Sequence, residues 1–258
     1  ADPTTVPTGI QPNLPAALSE LGAALLLPAL LVAVIAYFCG CFNGAVIVSK
    51  YILRDDIRTH GSGNAGLTNF FRTFGGPLTF VVILTDVLKA IVAVWFGILL
   101  AGGFAPGFWG GELVLYGKYW SGLFCLLGHM FPCMFGFRGG KGILSGGTVA
   151  FLLDWRLALL AWGGFLLLTL LTRYVSLGSI YAASSFPVGT WLFVSHDRMI
   201  MLLALIITAL ILWKHRANFM RLIHGKESKL TFHKKKERSE EHTSELQSHT
   251  QISYAVFC

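Results

Sequence analysis

The chain has 258 residues, of which 54% are hydrophobic and only 13% are charged, and it carries a formal net charge of +7. Soluble domains contain about 25% charged residues, so this chain has too few charges to cover the surface of a soluble enzyme. The composition also excludes a disordered chain and a disulfide-stapled secreted domain, and it favours one polytopic membrane domain. The cysteines form no CxxC pair, which predicts neither a metal site nor disulfides.

The two ends of the chain differ from its middle. Residues 1–20 form a polar segment without an initiator methionine, and we expect its start to be truncated. The run RSEEHTSELQSH, which begins at Arg238, has no helical or strand period and matches the in-frame translation of a common sequencing adaptor. We therefore expect 231–258 to be a basic end followed by an artefact from Arg238, with a natural polar tail as the alternative. The membrane domain is expected to occupy 21–230.

Apolar segments recur through the middle of the chain at the length of membrane helices. A bilayer core of about 30 Å is crossed by roughly 20 apolar residues in a helix. The sequence predicts an all-α polytopic membrane protein with seven transmembrane helices, and the main alternative is six spans with 142–153 as a re-entrant segment. The seven predicted segments are 21–49, 74–100, 119–135, 142–153, 157–172, 174–195 and 199–213.

The basic residues of the loops predict the orientation. If the loop after the first span is cytoplasmic, fifteen Lys and Arg residues lie on that side and only Lys118, Arg156 and Arg198 lie on the other. Cytoplasmic loops carry an excess of Lys and Arg, so we expect the N-terminus outside and the C-terminus inside.

The first cytoplasmic loop contains Gly61, Gly63 and Gly66 in a GxGxxG pattern. A dinucleotide-binding fingerprint needs a strand before it and a βαβ unit around it, whereas apolar helices are predicted on both sides here. The local chemistry still favours phosphate, because glycines let backbone N–H groups converge on an anion. The same loop adds neutral and cationic donors, which are Ser62, Asn64, Thr68, Asn69 and Arg72.

Two more loops have a composition that suits phosphate. Lys141 is flanked by Gly139, Gly140 and Gly142, but the spacing rules out a Walker A motif. A flexible basic turn is the alternative for this loop. Further along, His215 and Asn218 are three residues apart on one helix face. For the basic residues around them, the alternative is a lipid-facing cap.

Asp86 and Lys89 are three residues apart within the second predicted span. Ionisable residues at membrane depth are often functional, but mutual pairing is their least costly arrangement. We expect a structural pair, with support of the active-site loops as the alternative.

The sequences GSGNAGLTNFFR, FRGGKG, RYVSLGS and HRANFMRLIHGKE occur in this order among the seven segments. From about residue 37 to residue 230, the chain resembles the PlsY family of bacterial acyl-phosphate:glycerol-3-phosphate acyltransferases. The resemblance implies a seven-helix protein of the bacterial cytoplasmic membrane with its active site facing the cytoplasm. It also implies transfer of a fatty acyl group from acyl phosphate to the 1-hydroxyl of glycerol 3-phosphate, giving lysophosphatidic acid, the first acylation of phospholipid synthesis. No cofactor, metal or nucleic acid is expected, and the functional partner is the enzyme that makes acyl phosphate.

The resemblance also implies a polar pocket. Arg72 and Lys141 would hold phosphate groups, Ser62 would cradle one of them, and the assignment of each cation to a phosphate stays open. The proton acceptor is either the departing phosphate or His215. The residues implied as catalytic are Ser62, Arg72, Lys141 and His215, and those implied as substrate-binding are Gly61, Gly63, Asn64, Gly66, Thr68, Asn69, Gly139, Gly140, Gly142, Ser179 and Asn218.

Two rival functions belong to other classes. A soluble-headed acyltransferase would carry a His followed five residues later by an Asp, and no histidine of this chain has an Asp at that position. A transporter of a phosphorylated solute would place its site near the bilayer midplane between internal repeats. The sequence has no convincing repeat, and its cations cluster at the cytoplasmic ends of the predicted spans.

Overall fold

The computed structural model describes residues 14–102 and 111–230, with side chains from Leu25 onward. The tail predicted as an artefact, and most of the polar N-terminal segment, lie outside the described residues. Within those residues the chain is helical and contains no strand. Each of the seven predicted apolar segments overlaps one of the longer helices. The ten α-helices are α1 Leu14–Cys41, α2 Gly44–Ile47, α3 Leu67–Thr73, α4 Leu78–Gly102, α5 Glu112–Met130, α6 Ile143–Leu153, α7 Trp155–Thr172, α8 Val175–Gly189, α9 Arg198–Lys214 and α10 Arg216–Ile223.

Several helices have the length and composition of membrane spans. Four stretches of the described chain are long and apolar enough to cross a bilayer, and these are Leu25–Ile52, Leu78–Gly102, Trp155–Thr172 and Val175–Val194. A fifth is obtained if α9 and α10, which meet at a bend of 58°, are counted as one span. With 11 residues, α6 is too short to cross a bilayer alone. The 19 residues of α5 are enough to cross a bilayer, but α5 is more polar than the four stretches named above.

The boundaries of one predicted segment are wrong, and another segment contains a break in its helix. The third segment was predicted at 119–135, but α5 begins seven residues earlier and ends at Met130. Lys118 lies inside the helix, since lysine is a good helix former, and its ammonium donates to the Leu152 carbonyl oxygen at 3.1 Å. The first predicted segment is interrupted at Asn43, whose side chain caps α2 by accepting from the Val46 N–H.

Glycines allow α1 and α5 to cross at very short range. A Cβ at Gly40 would lie 2.0 Å from the carbonyl oxygen of Cys125, and a Cβ at Gly128 would lie 2.0 Å from that of Tyr37. Between α4 and α5, a Cβ at Gly97 would lie 2.4 Å from the Gly117 oxygen. Small residues at helix contacts are typical of membrane bundles, where close backbone packing replaces the hydrophobic driving force.

The bundle has an apolar core and an apolar outer surface. Tyr119, Leu126 and Ile207 are fully or almost fully buried at the centre of its largest core cluster. Large apolar side chains also point outward along the helices, among them Phe80 and Leu171. An apolar exterior of this extent is typical of a protein surface in contact with lipid chains.

Gly128→Ala should lower the melting temperature in detergent by several degrees. The added methyl group meets the Tyr37 backbone, and overpacking of this kind costs about 1–3 kcal/mol. Gly163→Ala in α7 is the matched control, since no atom lies within 4 Å of its Cβ position. Alanine is favoured over glycine in helices by about 0.5–1 kcal/mol, so this control should be neutral or stabilising. Equal melting temperatures for the two variants would contradict the proposed role of the close crossing.

Candidate active site

One end of the bundle contains a cavity of about 570 Å³ where the glycine-rich loops meet α8, α9 and α10. Twelve of the fifteen predicted site residues line it, so the three separate motifs converge on one place. The other three, Gly63, Gly139 and Gly140, do not line it. Those that do are Gly61, Ser62, Asn64, Gly66, Thr68, Asn69, Arg72, Lys141, Gly142, Ser179, His215 and Asn218.

The first glycine loop is folded around the side chain of Asn69. Its Nδ2 donates to the carbonyl oxygens of His60 and Asn64, both at 3.0 Å, and its Oδ1 accepts from the Ser62 N–H at 3.1 Å. The predicted role of Asn69 as a donor to substrate is therefore not supported by its contacts, since its amide is committed to the loop. Gly61 has a φ of +54°, a conformation that favours glycine over residues with a Cβ.

Arg58 connects this loop to the neighbouring segment before the second glycine loop. Its guanidinium pairs with Asp56 at 2.7 Å and donates to the Phe135 carbonyl oxygen at 2.6 Å. The pairing with Arg58 lowers the pKa of Asp56 to about 2. Both loops are thus held by a charged contact that lies outside the cavity.

The second glycine loop packs tightly on the end of α5. A Cβ at Gly139 would lie 2.0 Å from the His129 carbonyl oxygen, and a Cβ at Gly140 would lie 2.1 Å from His129 Nε2. The Gly140 N–H donates to the same carbonyl at 3.1 Å. These two glycines permit a close approach of loop to helix, rather than of loop to substrate as the resemblance implied. They bring Lys141 to the cavity wall.

Lys141 lies in a network of polar side chains beside the cavity. Its ammonium donates to Asn218 Oδ1, and Asn218 Nδ2 donates to Glu227 Oε1 at 3.1 Å. Glu227 also pairs with Arg221, whose Nε lies 2.8 Å from Oε2. Burial, followed by the charge of Arg221, lowers the pKa of Lys141 to about 8. Arg72, Lys141 and Arg221 together give the cavity wall a positive character that suits anionic ligands.

His215 lies at the bend between α9 and α10 and is almost completely buried. Its Nδ1 lies 2.9 Å from the Ile211 carbonyl oxygen, which can only accept, so Nδ1 carries the proton. In the neutral ring Nε2 is then an acceptor. Ser179, one helix away, donates its hydroxyl proton to the Val175 carbonyl oxygen at 2.9 Å.

The cavity contains residues that the sequence prediction missed. Ser176 is buried, lines the cavity, and has no hydrogen-bond partner for its Oγ among the described residues. It lies three residues before Ser179 on α8, a spacing that was visible in the sequence. Asp86 and His129 also line the cavity. The predicted pair of Asp86 and Lys89 is present, with 2.6 Å between Oδ1 and Nζ.

Comparison with known proteins identifies the family. The family model described as glycerol-3-phosphate acyltransferase matches residues 30–225. The chain is 38% identical over 202 residues to a glycerol-3-phosphate acyltransferase of Thermoanaerobacter pseudethanolicus, covering 78% of this chain and 96% of that one. It is 34% identical over 201 residues to that of Finegoldia magna, with the same coverage of both chains.

The fold gives the same result. The chain resembles the crystal structure of PlsY (YgiH), an integral membrane glycerol 3-phosphate acyltransferase, in its glycerol 3-phosphate form, with a TM-score of 0.68 and 31% identity. The alignment covers 79% of this chain and 96% of that one. The lysophosphatidic acid form of PlsY matches with a TM-score of 0.65, 31% identity and coverage of 79% and 95%.

The chain belongs to the glycerol-3-phosphate acyltransferase family. It is an all-helical integral membrane enzyme of the PlsY type. This assignment favours the acyltransferase reading over the transporter alternative. No group of three His, Cys, Asp or Glu side chains within 14–102 and 111–230 has an arrangement that suits a metal ion.

The pKa of Lys141 leads to a prediction for the pH dependence of this acyltransferase. The charged ammonium is the form that attracts phosphate, and it is lost as the pH rises through about 8. The second pKa of a phosphate ester lies near 6, so the substrate itself does not titrate in this range. We expect KM for the substrate whose phosphate Lys141 holds, glycerol 3-phosphate or acyl phosphate, to rise by up to about tenfold per pH unit above pH 8. Lys141→Arg should remove this limb, and an unchanged profile would contradict the role of the lysine charge.

Proposed function

We propose that this acyltransferase moves a fatty acyl group from acyl phosphate to the 1-hydroxyl of glycerol 3-phosphate and releases lysophosphatidic acid and phosphate. The observation that carries the proposal is the convergence of Arg72, Lys141 and Arg221 with a glycine loop on one cavity. Such a wall suits two phosphate groups, as a reaction between two phosphorylated substrates requires. Relatives with 31% identity have been solved in glycerol 3-phosphate and lysophosphatidic acid forms, which supports the acceptor and the product.

The cavity also has an apolar side that suits the fatty chain. Leu144, Trp162, Phe165 and Val175 line it together with the polar groups. A chain bound along these residues directs its acyl phosphate end toward the cations. This arrangement supports a lipid-like donor over a small polar acyl donor.

We propose that the transfer is direct, without an acyl-enzyme. A covalent route needs a nucleophile hydrogen-bonded to a base. Among the described residues of the cavity, Ser179 donates its hydroxyl proton to a backbone oxygen and Ser176 Oγ has no partner, so neither hydroxyl is hydrogen-bonded to a base. In the direct reaction the glycerol 1-oxygen bonds to the acyl carbon, the bond from that carbon to the phosphate oxygen breaks, and the departing phosphate accepts the hydroxyl proton.

Arg72, Lys141 and the amides of the glycine loop supply positioning and electrostatic stabilisation in this scheme. His215 has the geometry of a positioning group, because its Nε2 can accept a hydrogen bond from a glycerol hydroxyl. General-base catalysis by His215 is the competing version of the mechanism, and the two versions differ in their pH profiles.

We further propose seven spans, an outside N-terminus and a cytoplasmic C-terminus in the bacterial inner membrane. The distribution of Lys and Arg between the loops supports this orientation. It gives the cavity access to water-soluble glycerol 3-phosphate and to the enzyme that makes acyl phosphate, which we propose as the functional partner. A cysteine introduced at position 62 should react with a membrane-impermeant reagent only from the cytoplasmic face.

The test of the reaction is a product assay with the purified protein in liposomes. We expect radiolabelled glycerol 3-phosphate to be converted to lysophosphatidic acid with acyl phosphate as donor and not with acyl-CoA. Arg72→Lys should lower kcat/KM by roughly 10- to 150-fold, because a charge-assisted bond is worth about 1.5–3 kcal/mol and lysine lacks the planar fork. Arg138→Lys is the control, since Arg138 is exposed and does not line the cavity. Activity with acyl-CoA alone would overturn the proposed donor.

His215→Asn distinguishes the two versions of the mechanism. For a positioning histidine we expect a loss of less than about 100-fold in kcat and a pH profile that keeps its acid limb. A lost general base would cost about 100- to 10,000-fold, and the acid limb would disappear. Isolation of a radiolabelled acyl-enzyme after incubation with acyl phosphate would rule out both versions.

A further inference from the structure

Beneath the second glycine loop lies a buried polar cluster formed by Asp86, Lys89 and His129. The Lys89 ammonium lies 2.6 Å from Asp86 Oδ1, 2.6 Å from His129 Nδ1 and 3.1 Å from the Phe42 carbonyl oxygen. An ammonium has three donors and no acceptor, so these three contacts use all of its hydrogens. The carboxylate compensates its charge, which makes the cluster neutral at membrane depth.

The contact with Lys89 decides which nitrogen of His129 carries the proton. Nδ1 accepts from the ammonium and is therefore unprotonated, which leaves the proton on Nε2. A protonated Nδ1 would place two donors against each other at 2.6 Å. The lysine thus fixes the Nε2–H tautomer, as a hydrogen-bonded partner commonly does for a functional histidine.

The Nε2 of His129 lies between the two glycine loops. A Cβ at Gly140 would be 2.1 Å from it and 2.8 Å from the Ala65 carbonyl oxygen of the first loop. His129 lines the cavity although its side chain is only 3% exposed, and Nε2 has no hydrogen-bond partner among the described residues.

We infer that His129 is a further phosphate-binding residue of this site, whose Nε2–H donates to a phosphate oxygen of the substrate. Lys89 is a positioning residue that holds the tautomer, and Asp86 neutralises the lysine. A buried donor without a partner is costly, and a phosphate oxygen is a strong acceptor that satisfies it. The inference rests on the phosphate-binding role proposed above for the cavity, and the phosphate belongs to either glycerol 3-phosphate or acyl phosphate.

Two substitutions separate the two nitrogens of His129. His129→Asn keeps an acceptor near the Nδ1 position for Lys89 and removes the donor that faces the cavity. His129→Gln keeps an amide donor near the Nε2 position and takes the acceptor away from Lys89. A phosphate-binding histidine therefore predicts that the glutamine variant is the more active one, whereas a purely structural partner of Lys89 predicts the opposite order.

We expect His129→Asn to lower kcat/KM by about 10- to 100-fold, mainly through KM, with a melting temperature close to that of the wild type. His129→Gln should stay within about tenfold of the wild-type kcat/KM and melt at a lower temperature. The substrate whose KM rises identifies the phosphate that is bound. An asparagine variant as active as the glutamine variant, or more active, overturns the inference.

A second measurement does not depend on transfer activity or on the folding of either variant. In a crystal structure of the wild-type protein with glycerol 3-phosphate or with acyl phosphate, a phosphate oxygen should lie within about 3.2 Å of His129 Nε2. Phosphate oxygens beyond hydrogen-bond reach of Nε2 in both structures overturn the inference. If phosphate binds there but no acyl group is transferred, the proposed reaction fails and the role of His129 stands.

Discussion

The helix bundle and the site both depend on the three hydrogen bonds that the Lys89 ammonium donates. It bonds to α4 through Asp86, to α5 through His129, and to the chain just after α1 through the Phe42 carbonyl oxygen. A charge at this depth persists only when each of its donors has an acceptor, so the contact fixes three segments relative to one another. The glycine crossings of α1 and α5 bring the backbones close enough for one side chain to reach all three.

The loops of the site are held in place by contacts within the protein, some of them made by residues that also line the cavity. Asn69 folds the first loop, Arg58 connects it to the Phe135 carbonyl, and the second loop packs on His129 through Gly139 and Gly140. This support leaves the cations on the cavity wall in defined places, and preorganised charges of this kind need little rearrangement when an anion binds.

Much of the fold was predictable from the sequence, because apolar run length is a strong signal for a membrane helix. The helix α5 shows the limit of that signal. Its start was misplaced because Lys118 looked like the end of an apolar run, whereas the helix continues through Lys118, whose ammonium finds an acceptor in the Leu152 carbonyl oxygen. Contacts of this kind join residues that are far apart in sequence, and local sequence patterns do not predict them.

The candidate site was predictable to a similar degree. Glycines next to Lys and Arg residues in the loops predicted a phosphate-binding site, and these motifs do meet at one cavity. The different roles of residues within the motifs were not predictable, because the Asn69 side-chain amide and the Gly140 N–H donate to backbone oxygens of the protein and are not free for substrate. Ser176 was missed although its spacing from Ser179 was visible, whereas the apolar helical context of His129 gave no sign that it borders a cavity.

The cavity has a cationic side and an apolar side, which suit a water-soluble and a lipid-like substrate. For the proposed reaction, the concentrations of the two substrates are therefore defined in different ways. A reactant with a long hydrocarbon chain partitions into the bilayer, whereas a glycerol phosphate stays in water. For the first reactant, the quantity that governs encounter is its mole fraction among the lipids, and adding more membrane dilutes it even when the total amount is constant. The second reactant obeys ordinary bulk concentration. The two substrates of such an enzyme are therefore counted in different phases, one in two dimensions and the other in three.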